Sequence, residues 1–298
     1  MIIDSKKYSG ACACGRNHSM ETNLAVIQAG CLSRLDDYLG QFGLQGPRTA
    51  IYDGNTYRAE GLIRPRADQE IVLDPENLHA DETAVEKVLS QLRGDIRLLV
   101  AFGSGTIHDI TRYCAHKRGI PFISCPTAAT VDGFCSTVAA VTWHGFKKTL
   151  PGVAPALVLA DLDVIRQAPA YLALSGVGDI LGKYTALADW KIASAVSGEF
   201  FCPRIESMTR SAVQEVYQSA HHLAGRSEEA YEKLTYGLLL SGLAMQLMGN
   251  SRPASGAEHH ISHLMEMEPQ GLGVYSSALH GEKVGAATLL VAREYQHL

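Results

Sequence analysis

No uninterrupted apolar run in the 298 residues approaches the roughly 18 that a bilayer-spanning helix needs. The opening stretch MIIDSKKYSG lacks the apolar centre of a secretory leader. We therefore expect no membrane span and a cytoplasmic location. Positive charge is not in excess, with 26 Lys and Arg against 31 Asp and Glu and a net charge of −5. Nothing in that balance calls for nucleic acid or an anionic membrane as partner. An even, closely spaced cysteine framework is also missing. The seven cysteines (12, 14, 31, 114, 125, 135 and 202) are scattered through a chain too long to need staples, so reduced thiols are expected. Repeats and low-complexity tracts are absent. What is present is ordinary globular material, 46% hydrophobic and 19% charged, enough for two medium domains.

Residues 5–20 are polar, with glycine and two close cysteines, and suggest a hairpin or arm. Strands are expected at 23–30, 48–57, 70–76, 96–105 and 120–127, with helices after the first of these and at 81–92 and 106–119. Asp81 is the N-cap candidate for the 81–92 helix. Alternating strands and helices over the first 165 residues indicate an α/β, Rossmann-like parallel sheet covered on both faces. Beyond Ala160 the patterns are helical with almost no strand signal. The expected domains are 1–165 and an all-α 166–298, with the change near 161–170.

The stretch LVAFGSGTIHD runs from a strand through Gly103-Ser104-Gly105 into a helix. Glycine lets backbone approach a phosphate closely, and a helix N-terminus offers free N–H groups and a positive dipole end. A plain strand-to-helix turn has the same form, so the motif alone is weak. A second polar loop, SCPTAATVDGFCS (124–136), leaves another strand with Thr127, Thr130, Asp132 and Ser136. Loops at the carboxyl ends of strands form the crevice where open α/β sheets bind ligands. Asp53 ends the second expected strand, either to accept from a cofactor ribose or as a turn residue before Gly54.

Metal-ligating types gather in the helical half. In SGVGDILGKYTALADW, Asp179 follows Gly176 and Gly178 at an expected helix start, and Lys183 at i+4 shares its face. A capping aspartate with an ion pair would look the same. In SGAEHHISHLMEM, His259 and His263 share a face, whereas His260 lies about 100° round the helix and is not expected to ligate. His280 follows in ALHGEKVG. Asp179, His259 and His280 supply one carboxylate and two imidazoles, a set suited to Zn²⁺, Fe²⁺ or Ni²⁺ with positions left open. Spacing alone does not separate this from surface histidines.

Taken together, DGNTY, GSGTIHDITRY, PTAATVDGFCS, GVGDILGKYTALADWK, SRPASGAEHHISH and HGEKVG resemble the iron-dependent alcohol dehydrogenase and dehydroquinate synthase superfamily. Within it they are most similar to the sn-glycerol-1-phosphate dehydrogenase family, over roughly residues 45–290. The resemblance implies Asp179, His259 and His280 as ligands of one divalent metal, with zinc placed ahead of nickel or iron. It implies Asp179 and His263 as catalytic residues, and Asp132, Asp179 and His263 as substrate contacts. NAD(P)H would be held by Asp53, Gly103, Gly105, Thr106, Ile107, Asp109, Thr127, Thr130 and Ser136. The reaction implied interconverts dihydroxyacetone phosphate and sn-glycerol 1-phosphate in a homodimer. Candidate cations for the substrate phosphate are Lys183, Arg252 and Lys147-Lys148, each of which could equally be a surface charge. Asp53 favours NAD, because a carboxylate repels a 2′-phosphate.

The resemblance also implies further helices after HGEKVG, whereas this chain stops eighteen residues after His280, so either a truncated sequence or an unusually short helical domain is expected. CACGRNH (12–18) offers two thiols and His18, three of the four ligands structural zinc normally takes; a reduced hairpin is the alternative. His221-His222 are expected at the surface. Other readings kept open are a glycerol dehydrogenase-like polyol oxidoreductase, a dehydroquinate synthase-like lyase with no net NADH consumption, and an inactive remnant that binds nucleotide.

Overall fold

The structure, a computed structural model, describes residues 1–267, 271–273 and 275–297. Its elements run β1 (Ile2–Asp4), α1 (Ser5–Tyr8), β2 (Gly10–Ala11), β3 (Asn17–His18), β4 (Leu24–Ile27), α2 (Leu35–Gln41), β5 (Arg48–Asp53), α3 (Gly54–Arg58) and β6 (Gln69–Leu73). Then come α4 (Glu82–Gln91), β7 (Leu98–Gly103), α5 (Gly105–Arg118), β8 (Phe122–Pro126), β9 (Val138–Trp143), β10 (Phe146–Pro151), β11 (Leu157–Ala160) and α6 (Leu162–Ile165). The remainder is helical: α7 (Ala170–Leu181), α8 (Lys183–Ser197), α9 (Pro203–Ser219), α10 (Glu228–Met248), α11 (Ala257–Glu266) and α12 (His280–Tyr295). Two compact units result. One holds Met1–Asp4, Glu21–Ala128 and Phe134–Ala168; the other holds Ser5–Met20, Ala129–Gly133 and Pro169–Leu298.

The first unit is built on a seven-stranded sheet ordered β1-β4-β11-β8-β7-β5-β6. All neighbours are parallel except the edge strand β1, which pairs antiparallel with β4. Parallel strands joined by helical crossovers are covered on both faces, which requires apolar residues in unbroken runs. Accordingly β7, LLVAFG, is buried at every position. One face packs on Val85, Val88, Ile107 and Ile110 from α4 and α5, the other on Leu32, Leu35, Tyr38 and Leu39 around α2. From β5 the chain steps outward to β6; from β7 it steps the other way to β8 and then β11. The carboxyl ends of β5 and β7 therefore flank a topological switch point, the usual position of a ligand crevice in such sheets.

Two differences from the sequence expectation lie here. The strand expected over 48–57 ends at Asp53, because its carboxylate accepts from the N–H groups of Asn55 and Thr56 at 2.9 and 3.0 Å and starts α3. The sequence also concealed β1, the antiparallel β9–β10 hairpin and β11. By contrast, Asp81 caps α4 as expected, accepting from Ala84 N–H at 2.8 Å.

In the second unit, Asp179 is not at a helix start but in the last turn of α7. Gly176 and Gly178, taken as breakers, lie inside that helix. Their role is close approach: a Cβ on Gly178 would sit 2.1 Å from the carbonyl oxygen of Gly281 on α12, and one on Gly176 the same distance from that of Ala129. Gly281 answers Gly178, since its own Cβ would meet the Ser175 carbonyl oxygen at 1.9 Å. Gly182 keeps right-handed helical geometry and passes α7 almost directly into α8. Among the described residues no helix is long and apolar enough to cross a membrane. A Gly178→Ala substitution forces α7 and α12 apart and should cost about 1–3 kcal/mol, as overpacking does. Urea unfolding monitored by circular dichroism checks this; a loss within error of zero contradicts the packing described.

Candidate active site

In the first unit, the turn after β7 is shaped by Gly103, where a Cβ would come within 2.7 Å of the Ile107 side chain. Glycine is required there, and the chain can turn at once into α5. Ser104 is the N-cap residue but makes no side-chain cap bond, so the first-turn N–H groups at Gly105, Thr106 and Ile107 are not capped by it. That is the arrangement a pyrophosphate exploits. The loop after β8 is tied to this turn, Thr127 N–H donating to the Gly103 carbonyl at 3.0 Å. Asp53 ends the neighbouring strand and is partly exposed, with Thr56 Oγ1 donating to its Oδ2 at 2.7 Å. Asp109 faces inward to Arg112, 2.6 Å away, and Arg112 is fully buried. Ser136 bonds the Val138 carbonyl oxygen at 2.8 Å.

His108 underlies the turn. Its buried ring places Nδ1 2.9 Å from the Ser104 carbonyl and meets Phe134 edge-on at 4.8 Å. Nδ1 must therefore donate, and buried Nε2 is a bare acceptor without a partner. Burial pushes this histidine down to about 3, and Arg112 adds to the effect. The unfolded chain thus takes up the proton first as pH falls. Stability from the neutral ring is complete above pH ~6.5 and is lost progressively below it. Between pH 6.5 and 4.5 the loss should reach about 2–3 kcal/mol more in the native protein than in His108→Gln. Parallel slopes for the two proteins in denaturant titrations at stepped pH would contradict this.

The second unit brings Asp179, His259 and His280 together, with donor atoms within 4.8 Å of one another. Asp179 descends from α7, His259 stands in the first turn of α11, and His280 opens α12. Each imidazole has its Nδ1 fixed by a carboxylate. His259 Nδ1 lies 2.7 Å from Glu258 Oε1, and His280 Nδ1 lies 2.5 Å from Glu266 Oε1. Nε2 of each ring remains as the donor; that of His259 is 3.6 Å from Asp179 Oδ1. Carboxylate-anchored histidine is the usual support of a metal ligand. Glu258 is itself held by Thr185 Oγ1 and Gly256 N–H, both at 2.7 Å.

Lys183 is fully buried between two carboxylates, 2.6 Å from Asp179 Oδ1 and 3.0 Å from Asp132 Oδ2. Ser241 also donates to Asp132 at 2.9 Å, and the Asp132 N–H donates to Asp179 at 2.8 Å. Burial works to raise the Asp179 carboxyl, but Lys183, then His259 and His280, hold it well below the usual range. Burial likewise works to lower Lys183, but Asp132 and Asp179 keep it above its ordinary value. His259 is raised despite burial and Lys183, through Asp179 and Glu258. Asp132 and Asp179 flank Lys183 and Glu258 backs His259, so three buried carboxylates stand against one ammonium group when the imidazoles are neutral. Buried charge must be compensated, and a divalent cation on two imidazoles and a carboxylate meets both the charge and the donor chemistry. The residues fit such an ion.

The other expected residues fall as follows. His263 is exposed, its ring stacked on His280 with centroids 5.9 Å apart. His260 is exposed, as expected of a residue off the ligating face. Arg252 pairs with Glu199 at 2.7 Å, Lys147 and Lys148 lie on exposed β10, and Thr130 accepts from Ser175 at 3.4 Å within the second unit. His221 and His222 are exposed, their rings 3.8 Å apart. Sequence reasoning missed Glu258, Glu266 and Ser241. The first two carried a faint signal, a glutamate beside His259 and another at i+3 from His263; Ser241, in apolar α10, carried none. Glu258→Gln removes the charge behind His259 and should weaken metal binding ~10–100-fold. Competition against a chromophoric chelator measures it; unchanged affinity would show that Glu258 is structural only.

Residues 26–169 match the family described as iron-containing alcohol dehydrogenase. A glycerol-1-phosphate dehydrogenase (NAD(P)+) of Bacillus licheniformis is 40% identical over 309 residues, covering 100% of this chain and 77% of the relative. One from Pyrococcus horikoshii is 34% identical, covering 92% and 79%. A probable glycerol dehydrogenase from Sinorhizobium meliloti superposes with TM-score 0.72 at 23% identity, over 89% of this chain and 74% of that one. An iron-containing alcohol dehydrogenase from Thermotoga maritima superposes with TM-score 0.65 at 16% identity, over 94% and 86%. These two show the shared fold, a parallel-sheet α/β region followed by a helical one.

Proposed function

This chain belongs to the glycerol-1-phosphate dehydrogenase family of the iron-containing alcohol dehydrogenases, and from that premise we propose that it interconverts dihydroxyacetone phosphate and sn-glycerol 1-phosphate with NAD(P)H and a divalent metal. The observation that carries the proposal is the buried Asp132–Lys183–Asp179 bridge joined to carboxylate-anchored His259 and His280. Such a charged interior is expensive unless it serves chemistry. The relatives at 40% and 34% identity named above are glycerol-1-phosphate dehydrogenases and do not favour the polyol, lyase or remnant alternatives.

Asp179, His259 and His280 would hold the metal, and two imidazoles with a carboxylate suit Zn²⁺, with Ni²⁺ or Fe²⁺ as competitors. When bound, the metal supplies Lewis-acid polarisation of the C2 carbonyl and the nicotinamide supplies the hydride. The chain's own residues do the rest. Lys183 keeps Asp179 ionised and fixes Asp132, whose carboxylate would accept from a substrate hydroxyl. His263, exposed beside His280, would move the proton to or from C2 oxygen. Gly103, Gly105, Thr106 and Ile107 would hold the pyrophosphate on the N-terminus of α5, with Asp109, Thr127, Thr130 and Ser136 completing the cofactor contacts. Asp53 would accept from the ribose, favouring NADH over NADPH. Lys183 is fully buried between two carboxylates, whereas Arg252 and Lys147-Lys148 reach the surface, so we propose these for the phosphate. Seven cysteines without a disulfide suit a reducing cytoplasm, and a homodimer is the assembly we propose.

Loss of NADH absorbance with dihydroxyacetone phosphate, on metal-stripped and resupplied protein, tests the proposal. Turnover should require metal, consume one NADH per product and prefer the phosphorylated ketone to dihydroxyacetone. His259→Ala should lower kcat/KM about 10³-fold or more, given the several kcal/mol a metal supplies. Equal rates without metal, or product with no NADH consumed, would contradict it.

A further inference from the structure

The thiols of CACGRNH find a fourth partner far along the chain. Cys12, Cys14, His18 and Cys202 place their donor atoms within 4.8 Å of one another. Cys14 Sγ lies 3.2 Å and Cys202 Sγ 3.4 Å from His18 Nε2, and Cys12 Sγ lies 3.8 Å from Cys202 Sγ. A tetrahedral zinc with Zn–S bonds of about 2.3 Å and a Zn–N bond of about 2.0–2.1 Å has S···S edges near ~3.8 Å and S···N edges near ~3.5 Å. The spacing is therefore that of a zinc tetrahedron and nearly twice the ~2.0 Å of a disulfide. All four residues lie in the second unit.

The surroundings are built for the same purpose. His18 is 5% exposed, and its Nδ1 lies 2.7 Å from the Leu247 carbonyl of α10, which fixes the ring with Nε2 towards the thiols. The loop turns tightly at Gly15, φ +86°, with Gly15 N–H on the Cys12 carbonyl and Cys12 N–H on that of Arg16, both at 3.0 Å. Cys202 is the N-cap residue of α9 and is buried. Tyr8, Cys12, Cys14 and Met20 pack on Trp190, Ile205 and Leu247, and the Arg16 guanidinium lies 3.4 Å above the Phe200 ring.

We propose that Cys12, Cys14, His18 and Cys202 bind a structural Zn²⁺, separate in donor chemistry from the Asp179–His259–His280 centre. Three sulfurs and one imidazole close the coordination sphere, so this ion has no open position for substrate. Its work is to clamp residues 5–20 onto the start of α9 and the end of α10. The chain then carries two metals: zinc on sulfur, and a divalent ion on nitrogen and oxygen.

The test uses the full chain with the other centre disabled by His259→Ala and His280→Ala, folded by circular dichroism, supplied with Zn²⁺ and dialysed against a mild chelator. Mass spectrometry should find one zinc per chain, and titration with an organomercurial should release it into a zinc-sensitive dye as thiols react. Cobalt in its place should give a thiolate-to-metal charge-transfer band in the near ultraviolet. Adding Cys14→Ser and Cys202→Ser should bring zinc to background. The proposal is overturned if the folded double-histidine variant holds no zinc, if the mercurial titrates the thiols without releasing metal, or if Cys12 and Cys202 are recovered as a disulfide. Should the cysteine variant fail to fold, the mercurial titration of unmutated protein separates the same outcomes, because only zinc held on thiolates leaves as the thiols react.

Discussion

Lys183 enters the helical unit without any water-facing surface and with carboxylates on two sides, Asp179 one helical turn before it and Asp132 from the 129–133 segment. Removing one member of such a set leaves an uncompensated buried charge and costs about 3–5 kcal/mol. The bridge therefore fixes three things at once. It keeps Asp179 ionised, it pins the 129–133 segment against α7, and it sets where the Asp179 carboxylate points. The Asp132 N–H bond to Asp179 and the Ser241 bond to Asp132 hold the same positions from other directions.

Packing makes that bridge geometrically possible. α7 can approach α12 only because Gly178 leaves room for the Gly281 carbonyl and Gly281 for that of Ser175, and only this approach brings His280 to within reach of Asp179. The glycines of GVGD and HGEKVG are thus part of the centre, although neither offers a ligand. Glu258 and Glu266 then orient the two rings. With the imidazoles neutral, the buried carboxylates outnumber Lys183, and a divalent cation would offset the difference. In the first unit a comparable economy holds: Gly103 clears Ile107, α5 begins at once, and its uncapped first turn sits beside the switch point of the sheet.

Sequence patterns revealed the parts that depend on local repetition. Buried aliphatic runs marked β7 and β8, Asp81 marked the start of α4, and i,i+4 spacing put Asp179 with Lys183 and His259 with His263. They failed where distant residues decide. Glycine normally breaks a helix, so Asp179 looked like a helix start; the reason α7 continues is a carbonyl on α12, far along the chain. Cys202, 184 residues beyond His18, has no local feature that ties it to CACGRNH. Ser241 is one small residue in an apolar helix. The short β11 and the mostly exposed β10 offer little periodicity to read.

The most direct test of the central claim is an anomalous difference map from crystals grown with Zn²⁺ or Ni²⁺, recorded at the absorption edge of the metal. The expected result is a peak bonded to a carboxylate oxygen of Asp179 and to Nε2 of His259 and His280, with Lys183 still bridging Asp179 and Asp132. Metal-dependent turnover in protein whose crystals show no peak at these three residues would contradict it.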